Sequence, residues 1–311
     1  MNKNILALAK ISNFVCHHND FANALSCITE CMQITSAQNS PHGSLLIGKG
    51  GVGKSTVGRL LEAKNPTYVE IEDHIKKKII PVFYMPVPSP TTVKSLTLRM
   101  LEELDCLDQK GTSEQLNYRL RILLKQSKTK LILLDEFHHI YNSRSLKSRV
   151  SENVANWIKT LADETKISIC LMGLPSIQDN LFIDEQLSRR FSRVIELHPF
   201  SFSLKNNEDA FPSFLMQVAK YIELNFQIRF EPEISSKDLT ARIYLATSGY
   251  QAYIMQLIHE SCLIALNDDR TIVSMRDFHT AYSSRSIQFK PLTKKSIFNI
   301  SPAEITAFLT K

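Results

Sequence analysis

The sequence predicts an α/β fold: a parallel sheet flanked by helices, followed by an all-helical C-terminal part. Three observations carry that expectation. The first is Gly48-Lys49-Gly50-Gly51-Val52-Gly53-Lys54-Ser55, a glycine-rich stretch between a short apolar run, Leu45-Leu46-Ile47, and a helical stretch from Val57 to Ala63. The second is a pair of mainly apolar runs, Leu131 to Leu134 and Ile167 to Met172, whose lack of alternation suits strands buried on both faces of a parallel sheet. The third is the loss of strand character after about Ser203, where helical periodicity takes over.

Composition sets the bounds. With 311 residues, 43% hydrophobic and 22% charged, the chain has the content of one large or two modest globular domains, which excludes a disordered polymer. A net charge of +6 is a mild basic bias that permits a nucleic-acid partner without requiring one. Ile5 to Ala9 is apolar, but Lys10 interrupts it, and no cleavage site or membrane-length apolar run follows. A cytoplasmic protein with no membrane partner is expected. The six cysteines fit reduced thiols in that setting. Cys16, His17, His18, Cys27 and Cys31 are potential zinc ligands, but their spacing matches no common finger, and Cys27 with Cys31 also suits one buried helix face.

In chain order, residues 1–40 form a helical extension. Gly48 to Ser55, with Thr56, fits G-x-x-x-x-G-K-[ST], a phosphate-binding loop: glycines let successive N–H groups face an anion, Lys54 adds charge, and Ser55 offers a hydroxyl to Mg2+. Thr67 to Ile71 is a weak strand, Lys76-Lys77-Lys78 a solvated turn or a face for a polyanion, and Ile79 to Tyr84 a better strand. Pro86 to Pro90 is a rigid connector, after which Thr91-Thr92 caps a helix through Leu96, Met100, Leu101 and Leu104. A second helix covers Glu114 to Lys125. The buried strand from Leu131 then delivers Asp135 and Glu136 to the crevice at its C-terminal end, one acid for Mg2+ and one to orient water. Val150 to Ala162 reads as a helix, Ile167 to Gly173 as a strand, Asp184 to Phe191 as a helix end with paired arginines, and Val194 to Leu197 as a strand. Helices follow at 211–225, 237–247, 251–266 and 275–283, with a linker at Lys290 to Lys295 and a short helix from Ser301.

From Ser44 to Phe200 the sequence resembles the TniB/TnsC family of transposition ATPases, within the AAA+ class. The resemblance rests on the phosphate loop, Pro88-Ser89-Pro90, Asp135-Glu136-Phe137-His138, Leu161-Ala162-Asp163-Glu164, the strand end at Gly173, and Asp184 to Phe191 with Gln186-Leu187 and Arg190-Phe191. It implies an AAA+ core over 41–202 with a five-stranded parallel sheet of order 5-1-4-3-2, a helical lid over 203–288, and a tail from 289 to 311. It further implies an ATP-dependent regulator that forms rings or filaments on double-stranded DNA and links a target selector to transposase subunits.

Carried onto this chain, the resemblance gives Lys54 and Ser55 to ATP and Mg2+, Asp135 to Mg2+, and Glu136 to water activation. Arg189 or Arg190 acts across a subunit interface. Met172-Gly173 stands where many AAA+ proteins place a polar sensor, and Tyr253 where a basic second sensor is expected, which suits slow hydrolysis. Sequence-independent DNA contacts fall to Lys94, Arg99, Lys147 and Arg149. Two alternatives stand beside this reading: a ParA/MinD-like nucleotide switch using Lys49 across a dimer, and an ATP-gated scaffold with little hydrolysis.

Overall fold

The computed structural model describes residues 11, 14, 19–72, 74–141, 149–181, 185–203, 210–284, 291–293 and 296–309. Helix α1 (Asn19–Gln38) precedes β1 (Ser44–Gly48), and α2 (Lys54–Lys64) follows the glycine-rich loop. A hairpin of β2 (Tyr68–Glu72) and β3 (Ile75–Ile79) leads to β4 (Val82–Pro86), α3 (Val93–Glu103), α4 (Ser113–Gln126) and β5 (Leu131–Asp135). A 3-10 turn over Phe137–Tyr141, α5 (Arg149–Thr165), β6 (Ser168–Gly173), α6 (Ser176–Leu181), α7 (Glu185–Arg190) and β7 (Arg193–Leu197) complete this part.

The main sheet is five-stranded with order β4-β5-β6-β1-β7 and parallel pairing throughout. Counting only its own strands in chain order, this is 5-1-4-3-2; the hairpin inserted before β4 lies outside the sheet. The three central strands β1, β5 and β6 are buried along their whole length, whereas edge strand β7 alternates between core and solvent. Continuous apolar runs therefore mark strands covered on both faces. Leu96, Met100, Leu116, Leu120, Leu124, Val154 and Ile158 from α3, α4 and α5 pack with the sheet's Ile132, Leu134 and Ile169 in one core. Helices α3 and α4 each begin with a reciprocal capping box, Thr92 with Ser95 and Thr112 with Gln115.

The triple lysine is not a turn. Lys76, Lys77 and Lys78 lie within β3 opposite Ile71, Glu70 and Val69, and the reversal falls at His74, whose φ is 64°. Ion pairs from Lys77 to Glu72 and from Lys128 to Glu70 tie the hairpin, so the charges stabilise a strand that local composition disfavours.

The chain divides into two compact units, residues 20–197 and residues 198–311 together with 1–19. The second contains α8 (Ala210–Phe226), β8 (Arg229–Glu231), α9 (Lys237–Thr247), α10 (Gln251–Asn267), β9 (Ile272–Ser274), α11 (Met275–Ser283) and α12 (Pro302–Leu309). It is not wholly helical, because β8 and β9 pair in parallel from Arg229 with Ile272 to Glu231 with Ser274. Three residues per strand are too few to carry a periodic signal. Phe211, Phe214, Val218, Ile254, Leu257 and Phe278 form its core, and Ile11 is buried there with them. Phe14 meets Phe214 and Tyr221, with ring centroids 6.4 and 5.0 Å away. Ile305 of α12 is also buried in this core, and the nearly buried Arg242 donates to the carbonyls of Ile297 and Ile300 at 2.7 and 3.0 Å.

Cys27, Cys31, Cys106, Cys170 and Cys262 are free thiols. Cys16, His17 and His18 lie outside the described residues. Cys31 sits in the buried face of α1, where burial pushes its thiol up. Among the described residues, no helix is long and apolar enough to cross a membrane.

Candidate nucleotide site

Strand β1 ends at Gly48, where an added Cβ would lie 2.5 Å from the Leu197 carbonyl oxygen, so the chain leaves the sheet hard against β7. Gly51 and Gly53 have φ of 83° and 102°, the left-handed region that glycine enters without strain, and Gly53 is the residue before α2. Gly50 is exposed with open space where a Cβ would project, and Val52 is buried beneath the loop. Lys54 is only 7% exposed; its Nζ donates to the carbonyls of Gly48 at 2.8 Å and Lys49 at 3.0 Å, across the loop's mouth. Burial lowers the pKa of this ammonium, and the charges of Glu136 and Asp135 act against that fall. Ser55 and Thr56 follow in the first turn of α2, half-buried, while Lys49 is exposed.

Strand order brings β5 to the same rim, one strand away from β1. Asp135 is 2% exposed: the Tyr84 hydroxyl donates to its Oδ2 at 2.7 Å and the Glu136 N–H to its Oδ1 at 2.8 Å. Burial and the hydrogen bond to Asp135 push the Tyr84 phenol up, so it stays a donor. The Arg59 guanidinium lies 5.1 Å from the centre of the Tyr84 ring. Glu136 has φ of 55°, which turns the chain sharply off the strand into the 3-10 turn and leaves its carboxylate half-exposed. His138 Nδ1 is 3.2 Å from Glu136 Oε2, and burial lowers the His138 pKa. His138 fits there because Gly173 ends β6 without a side chain: a Cβ would stand 3.2 Å from Nδ1.

A left-handed glycine loop with an open side, a buried ammonium at the start of the following helix and a buried carboxylate at a strand end on the same rim form the donor set that a nucleoside triphosphate with Mg2+ requires. The residues present fit that group.

The other anticipated residues separate. Arg190 is clamped within the chain, its Nε and guanidinium nitrogen reaching Asp163 of α5 at 3.2 and 2.5 Å. Arg189 projects, 83% exposed, with Glu185 at 4.0 Å. On α3, Lys94 is exposed, whereas Arg99 pairs with both Glu102 and Glu103 at 2.6 Å. Lys147 and the side chain of Arg149 lie outside the described residues. Sequence reasoning missed Tyr84: its part in the site depends on the β4–β5 register, in which Tyr84 pairs with Leu133 and Pro86 with Asp135.

A family model described as "Bacterial TniB protein" matches residues 8–201. The chain belongs to the TniB family of AAA+ ATPases. This sets aside the ParA/MinD-like alternative. No curated protein sequence matches it significantly. The TniB-family chain is similar in fold to the Aeropyrum pernix ORC2 protein in its ADP form, with TM-score 0.62 and 13% identity over 91% of this chain and 73% of that one. It is likewise similar to the Aeropyrum pernix ORC1 protein in complex with DNA, with TM-score 0.58 and 14% identity over 90% and 68%. Drosophila ORC bound to DNA gives TM-score 0.53 and 16% identity over 92% and 67%.

Proposed function

We propose that this TniB-family ATPase binds ATP with Mg2+, hydrolyses it slowly, assembles as a ring or filament on duplex DNA, and couples a target selector to transposase subunits. The observation that carries the reading is the convergence of Lys54, Asp135 and Glu136 on one rim of the sheet, within a chain matched by the family model. The backbone N–H groups of Gly50, Gly51, Val52 and Gly53 and the ammonium of Lys54 hold the phosphates, and the segment from Gly48 and Lys49 through Thr56 frames them. Ser55 and Asp135 hold Mg2+, which supplies charge neutralisation on the phosphate oxygens. Glu136, half-exposed and turned off the strand, orients the attacking water; Asp135 accepts from the Tyr84 hydroxyl and from the Glu136 N–H, which fixes the Glu136 backbone.

Arg189, free of any clamp such as Asp163 makes on Arg190, is the residue that reaches the nucleotide of a neighbouring subunit. Sequence-independent DNA contact falls first to the exposed Lys94, since the charge of Arg99 is spent on Glu102 and Glu103. The DNA reading draws support from the family and from two structural neighbours captured with DNA. Electron microscopy with duplex DNA and a slowly hydrolysed ATP analogue tests it. Nucleotide-dependent rings or filaments that vanish in Lys54→Ala are expected; particles that remain monomeric on DNA with nucleotide bound would overturn the assembly.

A further inference from the structure

Immediately beyond Asp135 the chain gathers three potential ligands of another kind. One donor atom from each of Glu136, His138 and His139 lies within 4.8 Å of the others. The local fold makes the group. His139 N–H donates to the Glu136 carbonyl at 3.0 Å, closing the first turn of the 3-10 segment and holding the two residues together. His138, between them, lies against His139 with ring centroids 4.6 Å apart and the planes tilted by 57°.

Two details point to a cation. His138 Nδ1 is sealed from solvent and has no hydrogen-bond partner, although Glu136 Oε2 stands 3.2 Å away without the alignment of a hydrogen bond. An orphaned buried nitrogen is costly unless something satisfies it, and 3.2 Å is close to the edge of a tetrahedron built on bonds of about 2.0 Å. His139 Nδ1 meets the Val87 carbonyl at 3.4 Å. Donation of an imidazole N–H to a backbone carbonyl is how ligating histidines are oriented, leaving Nε2 as the lone pair.

We propose that Glu136, His138 and His139 form a site for a divalent transition-metal ion of the zinc type, and that filling it arrests hydrolysis by taking the Glu136 carboxylate. Two imidazoles and one carboxylate select zinc or cobalt over Mg2+, which prefers oxygen ligands, so the two ions do not compete for one site. The regulatory half rests on Glu136 orienting water; the binding half does not.

The test adds Co2+ to the full-length metal-free chain in excess Mg2+ and follows the visible absorption of tetrahedral Co2+, with hydrolysis measured in parallel. One equivalent is expected to give the band, Zn2+ to displace it, and hydrolysis to fall about tenfold or more as the site fills, with both effects weakened roughly tenfold or more in His139→Asn. With Mg2+ present and no transition metal added, His139→Asn should hydrolyse ATP like the parent. Absence of the band, or a band unchanged in both His138→Asn and His139→Asn, would overturn the site. Full hydrolysis with Co2+ bound would overturn the arrest. If the parent with Mg2+ alone hydrolyses nothing, the ATPase reading fails by itself, and the absorption still decides the metal site.

Discussion

A methyl group at Gly58 would lie 2.7 Å from Cε2 of Tyr84 and 3.1 Å from the terminal carbon of Met172. Helix α2 therefore packs on the sheet through a bare backbone, and that closeness keeps Tyr84 over Asp135. Alanine is worth about 1 kcal/mol over glycine in a helix interior, but overpacking here costs about 1–3 kcal/mol. Gly58→Ala is expected to be destabilising by about 1 kcal/mol in urea unfolding and to weaken nucleotide binding, because the Tyr84 ring moves. Tyr84→Phe keeps the packing and removes only the hydroxyl. It leaves a buried carboxylate oxygen without its donor at a cost of about 1–3 kcal/mol.

At the scale of the element, α11 depends on Asp277. This carboxylate, 2% exposed, accepts from both guanidinium nitrogens of Arg270 at 2.9 and 2.7 Å and from the Ser274 N–H at 2.7 Å. Burial alone would raise its pKa, yet the bonds from Arg270 and Ser274 hold it below the ordinary carboxylate range. A depressed folded pKa means that the unfolded chain binds the proton first as pH falls. The stabilisation is thus complete above about pH 4, the unfolded value, and lost as pH falls through the folded value. Asp277→Asn should lower unfolding free energy by about 1–3 kcal/mol at neutral pH, with the gap to the parent closing below about pH 4. A gap constant down to pH 3 would contradict this. The hairpin of β2 and β3 shows the same dependence on partners: Lys76 to Lys78 reads as a turn until Glu70 and Glu72 are placed beside it.

For the whole molecule, the two adjacent arginines are expected to divide stability from function. Arg190 holds α7 to α5 through Asp163, so Arg190→Ala should cost about 1–3 kcal/mol of stability. Arg189 touches little of its own chain, so Arg189→Ala should unfold within about 0.5 kcal/mol of the parent. If Arg189 completes a neighbour's site, that variant loses hydrolysis on DNA by about a hundredfold or more while still binding ATP. Calorimetry and steady-state hydrolysis of both variants separate the roles; loss of hydrolysis only in Arg190→Ala would reverse the assignment.

By itself the sequence determined the loop from Gly48 to Thr56, the acidic pair Asp135-Glu136, the central strands and the family, whose resemblance in turn implied the strand order. Those features are local strings: glycines at fixed spacing, unbroken apolar runs, and polar residues where a strand must end. Tertiary structure decided what depends on residues far apart in the chain. It put Tyr84 on Asp135 through parallel register, bound Arg190 to Asp163 and left Arg189 projecting, and seated His138 in the space that Gly173 leaves. It also made strands of β3 and of the short β8–β9 pair, whose stabilising partners come from other segments. A motif names the groups that chemistry needs, but distance, burial and pairing arise only when separate strands and helices close on one another.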